Sequence, residues 1–441
     1  MPRDNRRRYA LVGAGARAEM FVRAVTGEHA ENAQLVALAD VNQSRMDAHN
    51  RWLRAAGHEP VPTYQADDLA VMLHKNQVDE LIVTSVDRTH AGHIVTALEA
   101  GCDVLTEKPM TVDAPSAERI LDAQRRTGRR VQVAFNYRFN PVHEMVRTLL
   151  AGGEIGEIGS VHFEWLLDVR HGADYFRRWH RDKANSGGLL VHKSGHHFDL
   201  VNWWLGAAPV EVYASGRLFF YGENGRRHGH ARDYERAHGS PAAESDPFAL
   251  HLETNPRLRE LYLDAEAEDG YHRDQNVFAP GSTIEDDMAV LVRYDSGATM
   301  TYHLTAYAPW EGYRLMVNGS KGRLELEVVE SDHVSLQAAG ELKGAAVHGT
   351  TAAPERGAVT LTIRPYWAPP YAVELQPHNR EGHGGADDRM TAVLLGGQTD
   401  PLHRSATARD GALALLTGLA ANRSLQTAER VKVSDLLDLD K

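Results

Sequence analysis

Short apolar runs alternate with amphipathic stretches along the first third of the chain, a pattern typical of strands that alternate with helices. Apolar runs predict strands at 9–12, 34–39, 78–84, 103–106 and 131–135, and helical periodicity predicts helices at 44–56, 67–76, 91–100 and 114–127. Strands separated by helices form a parallel, doubly wound sheet, which binds ligands at the carboxyl ends of its strands. We therefore predict an α/β domain over residues 1–136.

A glycine-rich turn follows the first of these strands and leads into a helix. Its residues fit the GxGxxG/A pattern of dinucleotide-binding folds: Gly13, Gly15, Ala16, Arg17 and Ala18. The second strand ends in Asp40, where a carboxylate would accept hydrogen bonds from the adenosine ribose. That carboxylate repels a 2′-phosphate, so we expect NAD rather than NADP, although Arg45 lies close by in the sequence.

The other strand ends also carry polar residues, which should meet in the same crevice because the strands are parallel. The predicted cofactor contacts there are Thr84, Ser85, His90, Glu107, Lys108 and Asn136. Lys108 directly precedes Pro109, which favours an extended backbone and a side chain projected into a site.

The segment 187–206 combines helical spacing with an unusual number of imidazoles. Gly206 suits a left-handed helix end, and on one continuous helix His192, His196, Asp199 and Trp203 would share a face. The His192 and His196 spacing also matches a zinc-binding pair, but the Glu of HExxH is missing, so we expect no metal.

The remainder, residues 137–441, contains further strand patterns, two of them hairpins around 288–307 and 312–329. A polar segment at 222–282 is too long for an ordinary connection, and we interpret it as an insertion that covers the mouth of the active site. Residues 171–183 are rich in arginine; Arg178, Trp179 and His180 could hold an anionic group or form a salt-bridged surface loop. Tyr307 could stack on a sugar ring or pack in the core or at an interface.

Composition narrows the choice of partners and compartment. The chain has 441 residues and a formal net charge of −12, which argues against nucleic acid and anionic membranes as partners. We expect no membrane span, because no apolar run is long enough, and Cys102 as the single cysteine fits a reducing cytoplasm. Arginines precede the first strand, but the apolar run after them is too short for an export signal.

Five stretches together resemble the Gfo/Idh/MocA oxidoreductases: GAGARA at 13–18, Glu-Lys-Pro at 107–109, VAFNYRFNP at 133–141, SGGLL…HH.D at 186–199 and the carboxyl-terminal GGADDRM…DGALALL. The resemblance implies a Rossmann domain that binds NAD(P), an α+β domain with a large, mostly antiparallel sheet, and a homo-oligomer. It implies that Lys108 contacts the substrate hydroxyl and that His196 is the catalytic imidazole. The family's first Asp is replaced here by His192, which leaves open which imidazole is the base.

The leading hypothesis is an NAD-dependent oxidoreductase that acts on a hydroxyl of a sugar or cyclitol, with His196 as base beside Lys108 and His192. The residues expected to contact this carbohydrate are Arg138, Arg178, Trp179, His180, Lys193, His197 and Tyr307. The alternative is a redox-assisted glycoside hydrolase, possibly for an acidic sugar, which oxidises transiently, eliminates, adds water and reduces again. A third hypothesis is a non-catalytic nucleotide-sensing or scaffold protein on this fold.

Overall fold

A parallel sheet forms the amino-terminal part of the computed structural model, which describes residues 5–335, 357–375 and 381–439. Its strands are β1 (Arg7–Val12), β2 (Ala33–Asp40), β3 (Thr63–Gln65), β4 (Glu80–Val83), β5 (Asp103–Thr106) and β6 (Val131–Val133). They lie in the order β6-β5-β4-β1-β2-β3, which reverses direction around β1 and is the arrangement of a doubly wound fold. The predicted α/β domain is confirmed.

Helices cover both faces of this sheet. They are α1 (Ala18–Arg23), α2 (Gln43–Ala55), α3 (Leu69–Lys75), α4 (His90–Glu99) and α5 (Ala114–Thr127). Local sequence explains their ends: in α5, for example, the Asp113 carboxylate caps the first turn through the Ser116 amide, and Gly128 closes the last turn at φ 66°. Two apolar clusters, one on each face, bury the central strands, whereas the edge strand β3 is partly exposed.

The second part of the chain builds a nine-stranded sheet. Helix α6 (Pro141–Ala151) leads into β7 (Ile158–Asp168), and the sheet continues with β8 (Pro209–Arg217), β9 (Asp287–Tyr294), β10 (Thr299–Ala308), β11 (Glu311–Gly319), β12 (Gly322–Ser331), β13 (Ala358–Pro365) and β14 (Tyr371–Ala372). All neighbouring strands in it are antiparallel except β7 and β10, which confirms the expected mostly antiparallel sheet.

One face of the large sheet is covered by helices that also line the crevice between the two sheets. These are α7 (Val169–Arg177), α8 (Lys183–Ser186), α9 (Leu189–His192) and α10 (Ser194–Leu205). The single helix predicted over 187–206 is therefore wrong: it is interrupted at Lys193, so His192 and Asp199 do not share a helix. Gly195, which follows the interruption, has a low helix propensity. The Lys193 side chain at the interruption is buried, and its ammonium donates a hydrogen bond to the Tyr137 hydroxyl at 3.0 Å.

The predicted insertion at 222–282 is folded into short helical turns, among them α11 (Pro256–Leu258) and α12 (Glu266–Asp269). Leu250, Leu252 and Leu258 form a small core of its own. The segment packs on the amino-terminal domain through Leu261, which contacts the cluster formed with Ala16 and Ala48.

The carboxyl-terminal residues return to the first sheet. After α13 (Glu381–Leu394), β15 (Ala406–Thr407) pairs with β6, α14 (Ala408–Thr427) packs between the two sheets, and β16 (Val431–Lys432) pairs with β8. The division of the chain at residue 136 stays a prediction, and the first sheet includes this strand from beyond it. Within the described ranges no helix has both the length and the apolar character needed to span a bilayer.

Candidate active site

The glycine turn between β1 and α1 lies against the loop that follows β4. Gly13 has φ 98°, and a Cβ on it would lie 2.3 Å from the Ser85 amide nitrogen, so only glycine allows this approach. Thr84 donates its hydroxyl to the Gly13 carbonyl at 2.7 Å. The amide of Ala16, at the start of α1, donates to the hydroxyl of Tyr262 from the insertion at 3.0 Å.

Asp40 lies at the end of β2, as predicted, and is buried. Its carboxylate accepts hydrogen bonds from the amides of Ala14 at 2.5 Å and Asn42 at 2.8 Å. Arg45 approaches the same carboxylate at 3.8 Å. Burial raises the pKa of Asp40, and the Arg45 charge opposes that shift.

Arg17 and Asn136, both predicted to contact the cofactor, meet at one carboxylate that sequence reasoning missed. Asp387 of α13 accepts two hydrogen bonds from the Arg17 guanidinium, at 3.1 and 3.2 Å, and one from the Asn136 amide at 2.8 Å. Arg17 also donates to Glu107 at 2.5 Å. This network joins the glycine turn to the loop that carries Lys108.

His90 connects two of the predicted loops. Its ring nitrogens contact the Pro109 carbonyl at 2.9 Å and the Ser85 carbonyl at 3.0 Å. Burial lowers the pKa of His90, and the contacts with the two carbonyls oppose that shift; the ring links the segments that carry Ser85 and Lys108.

Lys108, His192 and Asp87 form the chemical centre of the crevice. The Lys108 ammonium lies 3.2 Å from His192 Nε2 and 3.2 Å from the His192 carbonyl oxygen. His192 Nδ1 lies 2.5 Å from Asp87 Oδ2, and Asp87 follows β4 closely. This chain has His192 where the family pattern has Asp, and Asp87 of the other domain places a carboxylate beside that imidazole.

Burial sets the charges of these three groups. It lowers the pKa of His192 well below its usual value, and the nearby Lys108 charge lowers it further. Burial also raises the pKa of Asp87, against the attraction of Lys108. It lowers the pKa of Lys108 to about 8, although Asp87 and Glu107 favour the ammonium form. At neutral pH the site thus holds a neutral imidazole beside a cation.

His180 and Trp179 lie on the far side of His192. The His180 ring meets the His192 ring edge-on at 4.2 Å and stacks on Trp179 at 3.5 Å. Arg178 is bound by Asp174, with Nε 3.2 Å from its Oδ2. Of the arginine-rich loop, the structure therefore brings Trp179 and His180 to the His192 imidazole, and Arg178 is paired with a carboxylate.

His196 lies one helical turn beyond His192 and is buried. Its ring stacks on Tyr137 at 4.3 Å and 16°. Phe135 contacts it edge-on at 6.1 Å. The Lys108 ammonium contacts His192, and the role of His196 as base stays a prediction.

Four further residues predicted to bind substrate are held by other protein groups. Arg138 forms a buried bidentate pair with Asp199, at 2.6 and 2.8 Å. His197 donates or accepts at the Tyr302 hydroxyl at 2.7 Å and stacks on a tryptophan, Lys193 contacts Tyr137, and Tyr307 packs against Phe220. The roles of these four residues as substrate contacts stay predictions.

Among the described residues, one group of side chains is close enough to hold a metal ion: Asp87, His180 and His192, whose ligand atoms lie within 4.8 Å of one another. It includes a different histidine from the His192 and His196 pair that the spacing suggested. The Lys108 ammonium beside His192 repels a cation, so the surroundings favour a hydrogen-bonded array over a metal site.

Asp87, Asp387 and Tyr262 are the residues that sequence reasoning missed. Asp87 had a usable signal, because it lies just beyond a parallel strand end, where ligand-binding groups collect. Asp387 lies in the GGADDRM stretch that carries the family resemblance, but nothing in the sequence placed it at the glycine turn. Tyr262 had no signal, because it reaches the turn from a distant part of the chain.

A glycine turn shaped for a dinucleotide, beside a lysine, an imidazole and a carboxylate, defines a nucleotide-dependent oxidoreductase. Residues 7–135 match the NAD-binding Rossmann-fold model of the oxidoreductase family, and residues 147–433 match the family's carboxyl-terminal alpha/beta domain. The chain belongs to the Gfo/Idh/MocA oxidoreductase family, and the predicted membership is confirmed.

Curated relatives match nearly the whole chain or about half of it. The Bacillus subtilis (strain 168) oxidoreductase named YteT is 34% identical over 97% of this chain and 98% of its own. The inositol 2-dehydrogenase of Rhizobium meliloti (strain 1021) is 29% identical over 48% of this chain and 58% of its own.

Solved structures share the fold at low identity. The aldose-aldose oxidoreductase of Caulobacter crescentus has a TM-score of 0.62 and 18% identity, covering 97% of this chain and 99% of its own. The WlbA dehydrogenase of Bordetella pertussis, solved with NADH and UDP-GlcNAcA, has the same TM-score and identity, covering 97% of this chain and 98% of its own.

Proposed function

We propose that this protein is an NAD-dependent oxidoreductase that moves a hydride between nicotinamide and the carbon of a sugar or cyclitol hydroxyl. The observation that carries the proposal is the Asp87, His192 and Lys108 array, which joins both domains at the crevice beside the glycine turn. Relatives named for inositol and for aldoses support the substrate class.

The residues present fit a dinucleotide. Gly13 lets the turn pack against the Ser85 backbone, and a Cβ on Gly15 would lie 3.5 Å from the Tyr262 hydroxyl. The Ala16 amide lies just before α1 and donates to that hydroxyl, as it would to a phosphate oxygen, and Asp40 ends β2. These residues would hold the nucleotide half of NAD, which supplies the hydride acceptor or donor when bound. Asp40 favours NAD over NADP.

His192 is the proposed base. In this scheme the ring proton is on Nδ1, which donates to the Asp87 carboxylate 2.5 Å away, and the lone pair on Nε2 faces the Lys108 ammonium. A substrate hydroxyl placed between Lys108 and His192 would give its proton to Nε2, while the ammonium stabilises the developing oxyanion. His180 and Trp179 shield His192 from water on one side.

His196 then becomes a positioning group in this scheme, since its ring stacks on Tyr137. The comparison of His192→Asn with His196→Asn tests this, on sugars and polyols that the wild type turns over. We expect the first variant to lose turnover by about 10²-fold or more and to keep NADH affinity. A larger loss of kcat in the second, with the pH profile of kcat unchanged in the first, would make His196 the base.

The redox-assisted glycoside hydrolase is a second candidate. It needs more proton transfers, and the His180 imidazole beside His192 could take part in one. Burial holds the pKa of His180 well below the usual value, so the ring is neutral before it does so. Release of an aglycone from a glycoside without net NADH would decide for this reaction. Stoichiometric NADH would decide against it, and NAD binding without either activity would favour the non-catalytic hypothesis.

The remaining expectations concern metal, assembly and location. We propose that catalysis needs no metal ion, so dialysis against a chelator should leave the rate unchanged; loss of activity that zinc restores would refute this. We also propose a homo-oligomer in the cytoplasm. The exposed Leu291 and Tyr213 on the large sheet are suitable for contact between copies, which light scattering of the purified protein tests.

A further inference from the structure

The insertion binds the edge of the amino-terminal domain where the adenosine ribose of a dinucleotide would lie. Asn42, just after β2, donates its side-chain amide to the Ala265 carbonyl at 2.8 Å. Arg45 donates to the Leu261 carbonyl at 3.0 Å, and Arg257 stacks over Trp52 at 3.9 Å. These contacts run along α2, the helix that begins directly after Asp40.

The first turn of α2 is an anion site that the insertion fills. The Glu268 carboxylate accepts hydrogen bonds from the Gln43 amide at 2.6 Å, from the Ser44 amide at 3.1 Å and from the Ser44 hydroxyl. The Ser44 hydrogen bond lowers the pKa of Glu268, so the group bound there is an anion. Two amides and a hydroxyl at a helix amino terminus are donors that also suit a phosphate.

Arg45 lies beside this turn and is held by carboxylates. Its guanidinium contacts Asp269 at 2.8 Å and Asp40 at 3.8 Å. The Arg45 residue is 8% exposed, and its Nη2 is buried with no hydrogen-bond partner in the part of the chain that the structure describes. A buried guanidinium with an unused donor normally finds an acceptor, so this geometry is suited to one more anionic oxygen.

We propose that the chain carries a binding site for the 2′-phosphate of NADP, formed by Gln43, Ser44 and Arg45, and that Glu268 and Asp269 of the insertion occupy it. The insertion thereby selects NAD. A basic residue near the end of β2 accommodates a 2′-phosphate in NADP-dependent Rossmann folds. In this chain the carboxylates of Glu268 and Asp269 lie where that phosphate would bind. The inference rests on the proposed use of a dinucleotide.

The test measures dissociation constants of NADH and NADPH by fluorescence titration, without substrate. The variant is the isosteric Glu268→Gln with Asp269→Asn, and the control is Glu260→Gln, in the same segment, whose partner Arg51 lies further along α2. We expect the wild type and the control to bind NADH at least about tenfold more tightly than NADPH. The double variant should narrow that ratio at least about tenfold through tighter NADPH binding, because two negative charges are removed beside the phosphate.

Adding Arg45→Gln to the double variant should abolish the gain in NADPH affinity. That loss distinguishes an anion-binding site from a general loosening of the insertion, which would not depend on Arg45. Inorganic phosphate should compete with NADPH on the double variant and not with NADH. Equal weakening of both nucleotides, an unchanged ratio, or a wild type that prefers NADPH would overturn the inference. If all the variants bind NADH tightly and the ratio of the NADPH and NADH dissociation constants does not change, the inference fails and the proposed function stands. If the wild type binds neither nucleotide, the proposed function fails as well.

Discussion

The substitution Asp87→Asn tests most directly whether His192 is the base. Asp87 Oδ2 lies 2.5 Å from His192 Nδ1, and the two residues are 3% and 8% exposed, so water cannot replace the contact easily. A hydrogen bond to a charged group contributes about 1.5–3 kcal/mol, which corresponds to about 10- to 150-fold in rate. An Asn amide can also donate to Nδ1, which moves the ring proton to Nε2 and removes the base.

We therefore expect kcat to fall by about 10- to 10⁴-fold, the lower figure being the loss of the hydrogen bond and the upper figure the loss seen for the wrong tautomer in serine proteases. The NADH dissociation constant should be unchanged, because Asp87 acts through His192. The measurement is the initial rate of NADH formation against pH, with Asp68→Asn, an exposed carboxylate of the same domain, as the matched control.

Two results would refute this reasoning. A variant with the wild-type kcat and pH profile would show that His192 needs no carboxylate. A fall in kcat accompanied by an equal loss of NADH affinity and of the thermal midpoint would assign Asp87 to folding. Nitrogen NMR of the His192 ring distinguishes the tautomers independently, and we expect the proton on Nδ1 in the wild type and on Nε2 in the variant.

Three further predictions concern single groups. Because the pKa of Lys108 is about 8 and its ammonium form is the active one, kcat/KM should fall as pH rises through about 8, and Lys108→Met should remove that limb of the profile. Gly13→Ala should abolish NADH binding and destabilise the fold by more than about 1–3 kcal/mol, whereas Gly92→Ala, with open space around its Cβ, should be neutral or stabilising in chemical denaturation. Arg138→Gln should cost about 3–5 kcal/mol of unfolding free energy by leaving Asp199 unpaired, with KM unchanged; a raised KM at wild-type stability would restore Arg138 as a substrate contact.

The candidate site was predictable where the relevant residues are close in sequence. Gly13, Gly15 and Asp40 follow a spacing that the backbone of a strand, turn and helix imposes, and the structure places them accordingly. The substrate set was less predictable, because a polar residue gives no sign of its partner. Arg138 and His197 have the chemistry of substrate ligands, yet Asp199 and Tyr302 bind them in the core.

The break at Lys193 shows why the histidine face could not be predicted from periodicity. A periodic pattern reports the average spacing of side chains, whereas the ammonium of a single buried lysine must find a partner, and here it reaches Tyr137. His192 consequently turns to the other domain, where Asp87 and Lys108 contact it.

Local patterning by itself determined the class of this protein: the alternation of strands and helices, the dinucleotide turn and the order of the family motifs are all short-range properties of the chain. Tertiary structure alone decided which groups meet. Asp87 and His192 are 105 residues apart, and Glu268 reaches Ser44 across 224. Asp87 and His192 meet because buried polar groups need partners, whereas the exposed Glu268 meets Ser44 because packing places the insertion beside α2. Neither contact can be inferred from the spacing of these residues along the chain.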